Sequence, residues 1–189
     1  MSQYNVDFLV QSIQNSMVNE KNGTYYQKFI RFFPSDFLKK LVTMSTDTKL
    51  VKLEHQEHRP RLRVDYDEMI SRELNLLFKS SKITEALSKK FNVTLEPGTA
   101  DIWLDYAGYN LSPHRDDARV KLALQIYFGS GENPGTVLFD KEHDPQIIET
   151  FEYKANMGYA LLNNDNSWHG TDGTVTNNVR KSVYIRYYG

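Results

Sequence analysis

From Pro97 and Gly98 onward the chain consists of short apolar stretches separated by clusters of Gly, Asn and Asp, a punctuation that long helices do not accommodate. The clearest stretch is residues 120–128, where Val120, Leu122, Leu124, Ile126 and Phe128 alternate with Lys121, Ala123, Gln125 and Tyr127. Successive side chains of a strand point to opposite faces, so this alternation predicts a strand with one buried face. It breaks at Gly129, Ser130, Gly131, Glu132, Asn133, Pro134 and Gly135, a dense turn signal. Residues 136–139, 147–153, 159–162 and 182–188 are further strand candidates. Many short strands with such turns argue a sandwich or barrel.

The first half has a different period. Phe8, Leu9, Ile13 and Met17 recur at helical spacing, as do Phe37, Leu38 and Leu41 after Pro34-Ser35-Asp36, where Ser and Asp side chains can accept bonds from free backbone N–H groups. Met69, Ile70, Leu74, Leu77 and Phe78 form one apolar stripe within residues 65–78, and Ile83, Ala86, Leu87 and Phe91 form another. The aromatic run 25–33 suits a strand or a packed connection. The expected organisation is a single domain, 1–189, in which 1–96 is mainly helical support and 97–189 holds the β core. A length of 189 residues fits one unit.

Charge and composition narrow the chemistry. The net charge of -1 gives no general attraction to nucleic acid or to a membrane surface, and neither is expected as a partner. The chain has no cysteine, which excludes a disulfide framework, a thiolate metal site and a cysteine nucleophile. Any metal must be held by nitrogen and oxygen. Neither a signal segment nor a membrane-spanning apolar run is visible, so a cytoplasmic protein is expected.

The sharpest local feature is His114-Arg115-Asp116. In an extended segment residues two apart project to the same side, so His114 and Asp116 would face one point and Arg115 would face away. His169, in Asn166-Ser167-Trp168-His169-Gly170, supplies a third candidate ligand. Two imidazoles and one carboxylate on one face of an ion leave other positions open, the arrangement used by non-haem iron(II) oxygenases. Zinc, or a plain structural histidine, is the alternative at this point. Downstream, Arg180 and Ser182 share a face of the last strand candidate, as do Tyr184 and Arg186. A guanidinium beside a hydroxyl is a good carboxylate receptor.

The order H-x-D, a strand-rich stretch, a distal His and then R-x-S resembles the 2-oxoglutarate and iron(II) oxygenase superfamily, nearest to its prolyl 4-hydroxylase-like branch. Tyr106-Ala107-Gly108-Tyr109 resembles the lead-in of that branch, and Gly135-Thr136-Val137-Leu138-Phe139 resembles its G-G-x-L-x-F segment with Thr136 in place of one Gly. The lead-in is shortened around Pro113, and Arg180 stands where animal collagen hydroxylases have Lys. The resemblance implies a double-stranded β-helix, or jelly roll, with N-terminal helices behind its larger sheet. It implies iron(II) on His114, Asp116 and His169, and 2-oxoglutarate with its far carboxylate on Arg180, helped by Ser182 and Tyr106. Dioxygen is the oxidant and ascorbate an accessory reductant. Asp116 favours hydroxylation, since halogenating relatives lack that carboxylate. The implied substrate is a peptidyl proline or another protein side chain, with a free amino acid or small metabolite as the alternative. A metal hydrolase and a non-enzymatic jelly-roll binding module are the readings from other classes.

Tyr109, Asp117, Arg119 and Trp168 flank the candidate ligands and are read as substrate-pocket residues. His55 and His58 are read as solvated or near a substrate groove, and His143 as an exposed loop residue. Arg59, Arg61 and Arg63 concentrate positive charge that would suit an acidic or phosphate-bearing substrate, although three arginines in such a run more often form a solvated edge.

Overall fold

The computed structural model describes residues 3–44, 48–53 and 59–189. His55 and His58 lie outside the described residues. Helix α1 (Gln3–Asn15) leads into the hairpin β1 (Val18–Lys21) and β2 (Thr24–Phe29), then α2 (Ser35–Val42), β3 (Leu50–Val51) and β4 (Arg61–Val64). Helices α3 (Met69–Phe78) and α4 (Ser81–Phe91) follow. The β-rich part comprises β5 (Thr99–Asp105), β6 (Val120–Tyr127), β7 (Thr136–Phe139), β8 (Ile147–Phe151), β9 (Gly158–Leu162), β10 (His169–Gly170) and β11 (Arg180–Tyr188). Among the described residues no helix is long and apolar enough to cross a membrane.

The strands form one sheet in the order β1-β2-β9-β6-β11-β5-β4-β3 and a smaller one in the order β10-β7-β8, with every paired neighbour antiparallel. This is the two-sheet jelly roll implied by the motifs. The expected helical first half differs in one respect: β1 to β4 come from it and extend both edges of the large sheet. The aromatic run beginning at Tyr25 resolves into β2, which ends at Phe29, followed by a connection in which Phe32 and Phe33 are buried. The third helix begins at Met69 instead of residue 65, because the Asp65 carboxylate accepts from the Asp67 N–H at 3.0 Å and holds a turn there.

The outer face of the large sheet is apolar. Ala100, Ile102 and Leu104 of β5, Leu122, Leu124 and Ile126 of β6, and Val183, Ile185 and Tyr187 of β11 are buried with Leu9, Ile13, Leu74, Leu77, Ile83 and Leu87 of the helices in one core. Each Leu, Ile or Val among them contributes about 1.5–3 kcal/mol on full burial. A smaller core of Tyr26, Leu138, Phe151, Tyr159 and Leu161 joins the two sheets. The strand β6 departs from its expected single buried face. Ala123, Gln125 and Tyr127 are buried as well, because the small sheet covers the side that period-two reasoning leaves to solvent. Where the sheets converge, a Cβ on Gly135 would lie 1.6 Å from the Phe151 carbonyl oxygen, so only glycine fits.

Inside the roll the sheet face is polar. Strand parity turns Asp101, Trp103 and Asp105 of β5 inward, against Arg180, Ser182 and Tyr184 of β11 in register pairs Arg180↔Asp105, Ser182↔Trp103 and Tyr184↔Asp101. The pairs Arg61↔Asp105 and Arg63↔Trp103 add β4 to the same face.

Candidate metal centre

His114 and His169 are brought together by the backbone. The His114 N–H donates to the His169 carbonyl at 3.0 Å and the His169 N–H to the His114 carbonyl at 2.9 Å, an antiparallel bridge that sets the ring centres 4.3 Å apart. Each ring places Nδ1 against the carbonyl two residues earlier, Ser112 at 3.1 Å and Ser167 at 2.9 Å. A carbonyl can only accept, so Nδ1 carries the proton in both rings and each Nε2 presents a lone pair. Burial, with the neighbouring His169 adding to it, pushes the His114 imidazole down to about 4, so its lone pair is free near neutral pH. Asp116 Oδ1 lies 3.8 Å from His169 Nε2 and accepts from the Tyr184 hydroxyl at 2.8 Å. Burial first, and the Asp116 carboxylate next, raise the Tyr184 phenol well above its ordinary value, so it remains a donor.

The three side chains each offer a ligand atom within 4.8 Å of the others. Small side-chain rotations would bring them to the ~2.0–2.2 Å of metal bonds to nitrogen and carboxylate oxygen. Arg115 turns away as its alternation requires. It donates to Asp165 at 2.6 Å and its guanidinium lies 4.9 Å from the Trp168 ring centre.

The ligand set stands between two cavities. An inner one of about 310 Å³ is lined by His114, Asp116, His169, Arg180 and Tyr184 among others. An outer one of about 620 Å³ shares His114, Arg115 and Asp116 and adds Trp168 and Glu142.

One wall of the inner cavity carries a buried charge cluster. Asp105, fully buried, accepts from Arg180 Nε at 2.9 Å and from Arg61 Nε and Nη2 at 2.5 and 3.1 Å. Arg180, 1% exposed, also donates through Nη1 to the Gly135 carbonyl at 2.9 Å. Burial alone would lower both guanidiniums, but Asp105 outweighs it and both are raised. Two permanent positive charges therefore share one carboxylate, and the surplus faces the cavity. Buried charge without a partner is expensive, so the cluster fits a bound anion, and a carboxylate matches the guanidinium fork. Beside it Tyr127 and Thr136 are joined hydroxyl to hydroxyl at 2.7 Å, and Thr136 and Tyr159 donate to Gln125 Oε1 at 3.1 and 3.0 Å. The Thr136 that departs from the family pattern thus places a hydroxyl on the cavity wall.

The other sequence-derived candidates are dispersed. Ser182 is fully buried, accepts from Gln125 Nε2 at 3.1 Å and does not line the cavity. Tyr106 packs on the helix side of the large sheet, the side it shares by parity with Leu104. Tyr109 is fully buried beneath Arg61, whose guanidinium is 4.2 Å from its ring centre, and its hydroxyl has no partner. Asp117 lines the inner cavity, whereas Arg119 is 83% exposed and bonds Asp117 at 3.0 Å. Trp168 lines the outer cavity. His143 is 92% exposed, as expected of its loop. The arginine run is a correction: Arg61 is not part of a solvated edge, because β4 turns it inward onto Asp105 and over Trp103. Sequence reasoning missed Asp105 and Gln125 as well. The alternation within Thr99–Asp105 was the available signal for Asp105, since it places Asp101, Trp103 and Asp105 on the face opposite Ala100, Ile102 and Leu104.

No family model matches the chain, and no curated protein matches it either. Solved structures do. A Pseudomonas putida prolyl-4-hydroxylase is 13% identical with a TM-score of 0.65 over 97% of this chain and 98% of that chain. A prolyl hydroxylase from Trichoplax adhaerens, in complex with a hypoxia inducible factor oxygen degradation domain peptide fragment, is 13% identical with a TM-score of 0.63 over 97% and 88%. HygX from Streptomyces hygroscopicus, with nickel, 2-oxoglutarate and hygromycin B bound, is 11% identical with a TM-score of 0.60 over 86% and 82%. At these identities the likeness is one of fold.

Proposed function

We propose that this protein is an iron(II)- and 2-oxoglutarate-dependent oxygenase that hydroxylates a C–H bond of its substrate. The observation that carries the reading is the pairing of a two-imidazole, one-carboxylate ligand set with a surplus buried guanidinium charge in the same inner cavity. An ion held by three protein ligands on one side keeps positions open for a chelating co-substrate and dioxygen. The likeness of fold to HygX, which holds nickel and 2-oxoglutarate, supports the same pair of ligands here.

When bound, iron(II), 2-oxoglutarate and dioxygen supply the oxidising power, and ascorbate is an accessory reductant at most. The chain does the rest. The Ser112 and Ser167 carbonyls fix both imidazole tautomers, and Tyr184 holds Asp116 in place. Arg180 receives the distal carboxylate of the co-substrate, with Asp105 holding its guanidinium through Nε and Thr136, bonded from behind by Tyr127, offering a neighbouring hydroxyl. The outer cavity beside Trp168 and the part of the inner cavity not taken by the co-substrate are the spaces left for the substrate. The Trichoplax adhaerens complex with a peptide makes a peptidyl proline or another protein side chain the first substrate class to test. A free amino acid or small metabolite is the second. A metal hydrolase would need a free base in the cavity. Of its carboxylates, Asp116 belongs to the ligand set and Asp117 is held by Arg119, whose bonds lower it to about 2.

The test is anaerobic titration of the iron(II)-loaded protein with 2-oxoglutarate, following the visible charge-transfer band of a chelated keto acid. The band is expected, and Arg180→Ala is expected to need far more 2-oxoglutarate to produce it. A folded, metal-loaded protein with no band would refute the assignment.

A further inference from the structure

Beside the inner cavity lies a second cluster built like the first, of which Arg186 reaches the cavity lining. Asp101, 7% exposed, accepts from Arg63 Nη1 at 3.4 Å and from Arg186 Nη2. Again two guanidiniums share one carboxylate. The Nε atoms of Arg63 and Arg186 are both buried and have no hydrogen-bond partner, so donors as well as charge are left over. Arg186 lines the cavity, and so does the exposed Arg59, for which no carboxylate partner is found among the described residues. The other arginines near the ligand set are neutralised, Arg115 by Asp165 at 2.6 Å and Arg119 by Asp117 at 3.0 Å. Positive charge in excess of carboxylate is therefore concentrated on the β4, β5 and β11 wall.

The position of this second cluster matters. Arg180, Tyr184 and Arg186 project from one face of β11 into the cavity, and the Tyr184 hydroxyl meets Asp116. At about 3.3 Å per strand residue, Arg180 lies roughly 13 Å before Tyr184 and Arg186 roughly 7 Å after it. The two clusters thus flank the metal row from opposite ends. If the first takes the co-substrate carboxylate, the second lies on the side left for the substrate.

We propose that Arg186, sharing Asp101 with Arg63 and assisted by Arg59 at the mouth, forms a second anion site that binds a carboxylate of the substrate. The assignment to the substrate rests on the oxygenase reading above, whereas the anion site itself does not. A carboxylate fits better than a phosphate dianion. The Asp101 cluster itself has a single uncompensated charge, Arg59 at the mouth is exposed and screened by solvent, the guanidinium fork matches two coplanar oxygens, and the 310 Å³ cavity must also hold the co-substrate.

The site is tested on zinc-loaded protein saturated with 2-oxoglutarate, by following the guanidinium Nε–H nuclear magnetic resonance signals of Arg186 and Arg63 during titration with acetate, acetamide or inorganic phosphate. Acetate is expected to move both signals saturably with a dissociation constant on the order of millimolar, and uncharged acetamide is expected to move neither. Arg186→Gln is expected to weaken acetate binding, read at Arg63, by about tenfold or more while leaving 2-oxoglutarate affinity within about twofold. Arg63→Gln, read at Arg186, is the second variant, and in each of the two Asp101 keeps one guanidinium partner. Signals unmoved by acetate, an unchanged acetate affinity in both variants, or tighter binding of phosphate than of acetate would each overturn the proposal. Displacement of acetate by glycine or by N-acetyl-glycyl-glycine then identifies the carboxylate source as a free amino acid or a peptide. The Arg180 signal, followed while 2-oxoglutarate is added before the acetate titration, reports the co-substrate separately, so its failure to move counts against the oxygenase reading and not against the Arg186 site.

Discussion

Tyr184→Phe isolates one bond. The phenyl ring keeps the packing of the half-buried side chain, and only the hydroxyl that donates to Asp116 Oδ1 at 2.8 Å is lost. A hydrogen bond to a charged group contributes about 1.5–3 kcal/mol. The bond can form with or without metal, however, so only part of that energy enters the affinity. What transfers is orientation, since Asp116 without its anchor is free to turn away from the two Nε2 atoms. Taking about half of the bond, roughly 0.8–1.5 kcal/mol, gives an expected loss of about four- to twelvefold in metal affinity, at the low end of the range usual for residues that orient metal ligands. Cobalt(II) titration against a competing chelator measures this without any assumption about turnover. The metal-free variant loses the same bond and is expected to remain folded but to unfold several degrees below wild type, at about 2–4 °C per kcal/mol. An affinity within about twofold of wild type in a folded variant would refute the reasoning, because either Asp116 is not a ligand or its orientation is set elsewhere.

Other expectations follow from the charge clusters. Asp105→Asn leaves two buried guanidiniums without a carboxylate and is expected to destabilise the protein by about 3–5 kcal/mol, measured by chemical denaturation; an unchanged midpoint and slope would rule out the buried cluster. Glu149 of β8 is bonded by Lys28 at 2.8 Å, Lys21 at 3.0 Å and Tyr26 at 2.7 Å from the large sheet, fastening the two sheets together. Burial acts to raise its carboxyl, but those bonds outweigh it and hold it at about 2, below its ordinary 4.5. The folded value lies below the unfolded one, so this contribution is complete above about pH 4.5 and is lost as the pH falls toward 2. Allowing for solvent screening at a partly exposed site, Glu149→Gln is expected to lower stability by about 1–2 kcal/mol at pH 7. The wild-type and variant unfolding curves should converge in acid. A gap that stays constant between pH 7 and pH 2.5 would remove the ionic explanation.

What could be read along the chain was whatever depends on neighbours in sequence. The period of two in residues 120–128 marked β6, the apolar stripes marked α3 and α4, and the i, i+2 spacing of His114 and Asp116 placed both on one side. The clusters around Asp105 and Asp101 were not readable that way. Arg61 sits in a run that looks like a solvated edge, and nothing local says that β4 will pair with β5 in the register Arg61↔Asp105 while β11 pairs from the other side as Arg180↔Asp105. Tyr106 illustrates the same point. It follows Asp105 directly, and that single step puts it among the helices and not in the cavity. A strand shifted by one residue exchanges its two faces entirely. The sequence by itself therefore determined the element types and the chemistry of the candidate ligands, which are local properties of period and residue type. Only the tertiary structure decided which arginines share a carboxylate and which face of each strand lines the cavity, because strand register is set by partners distant in the chain.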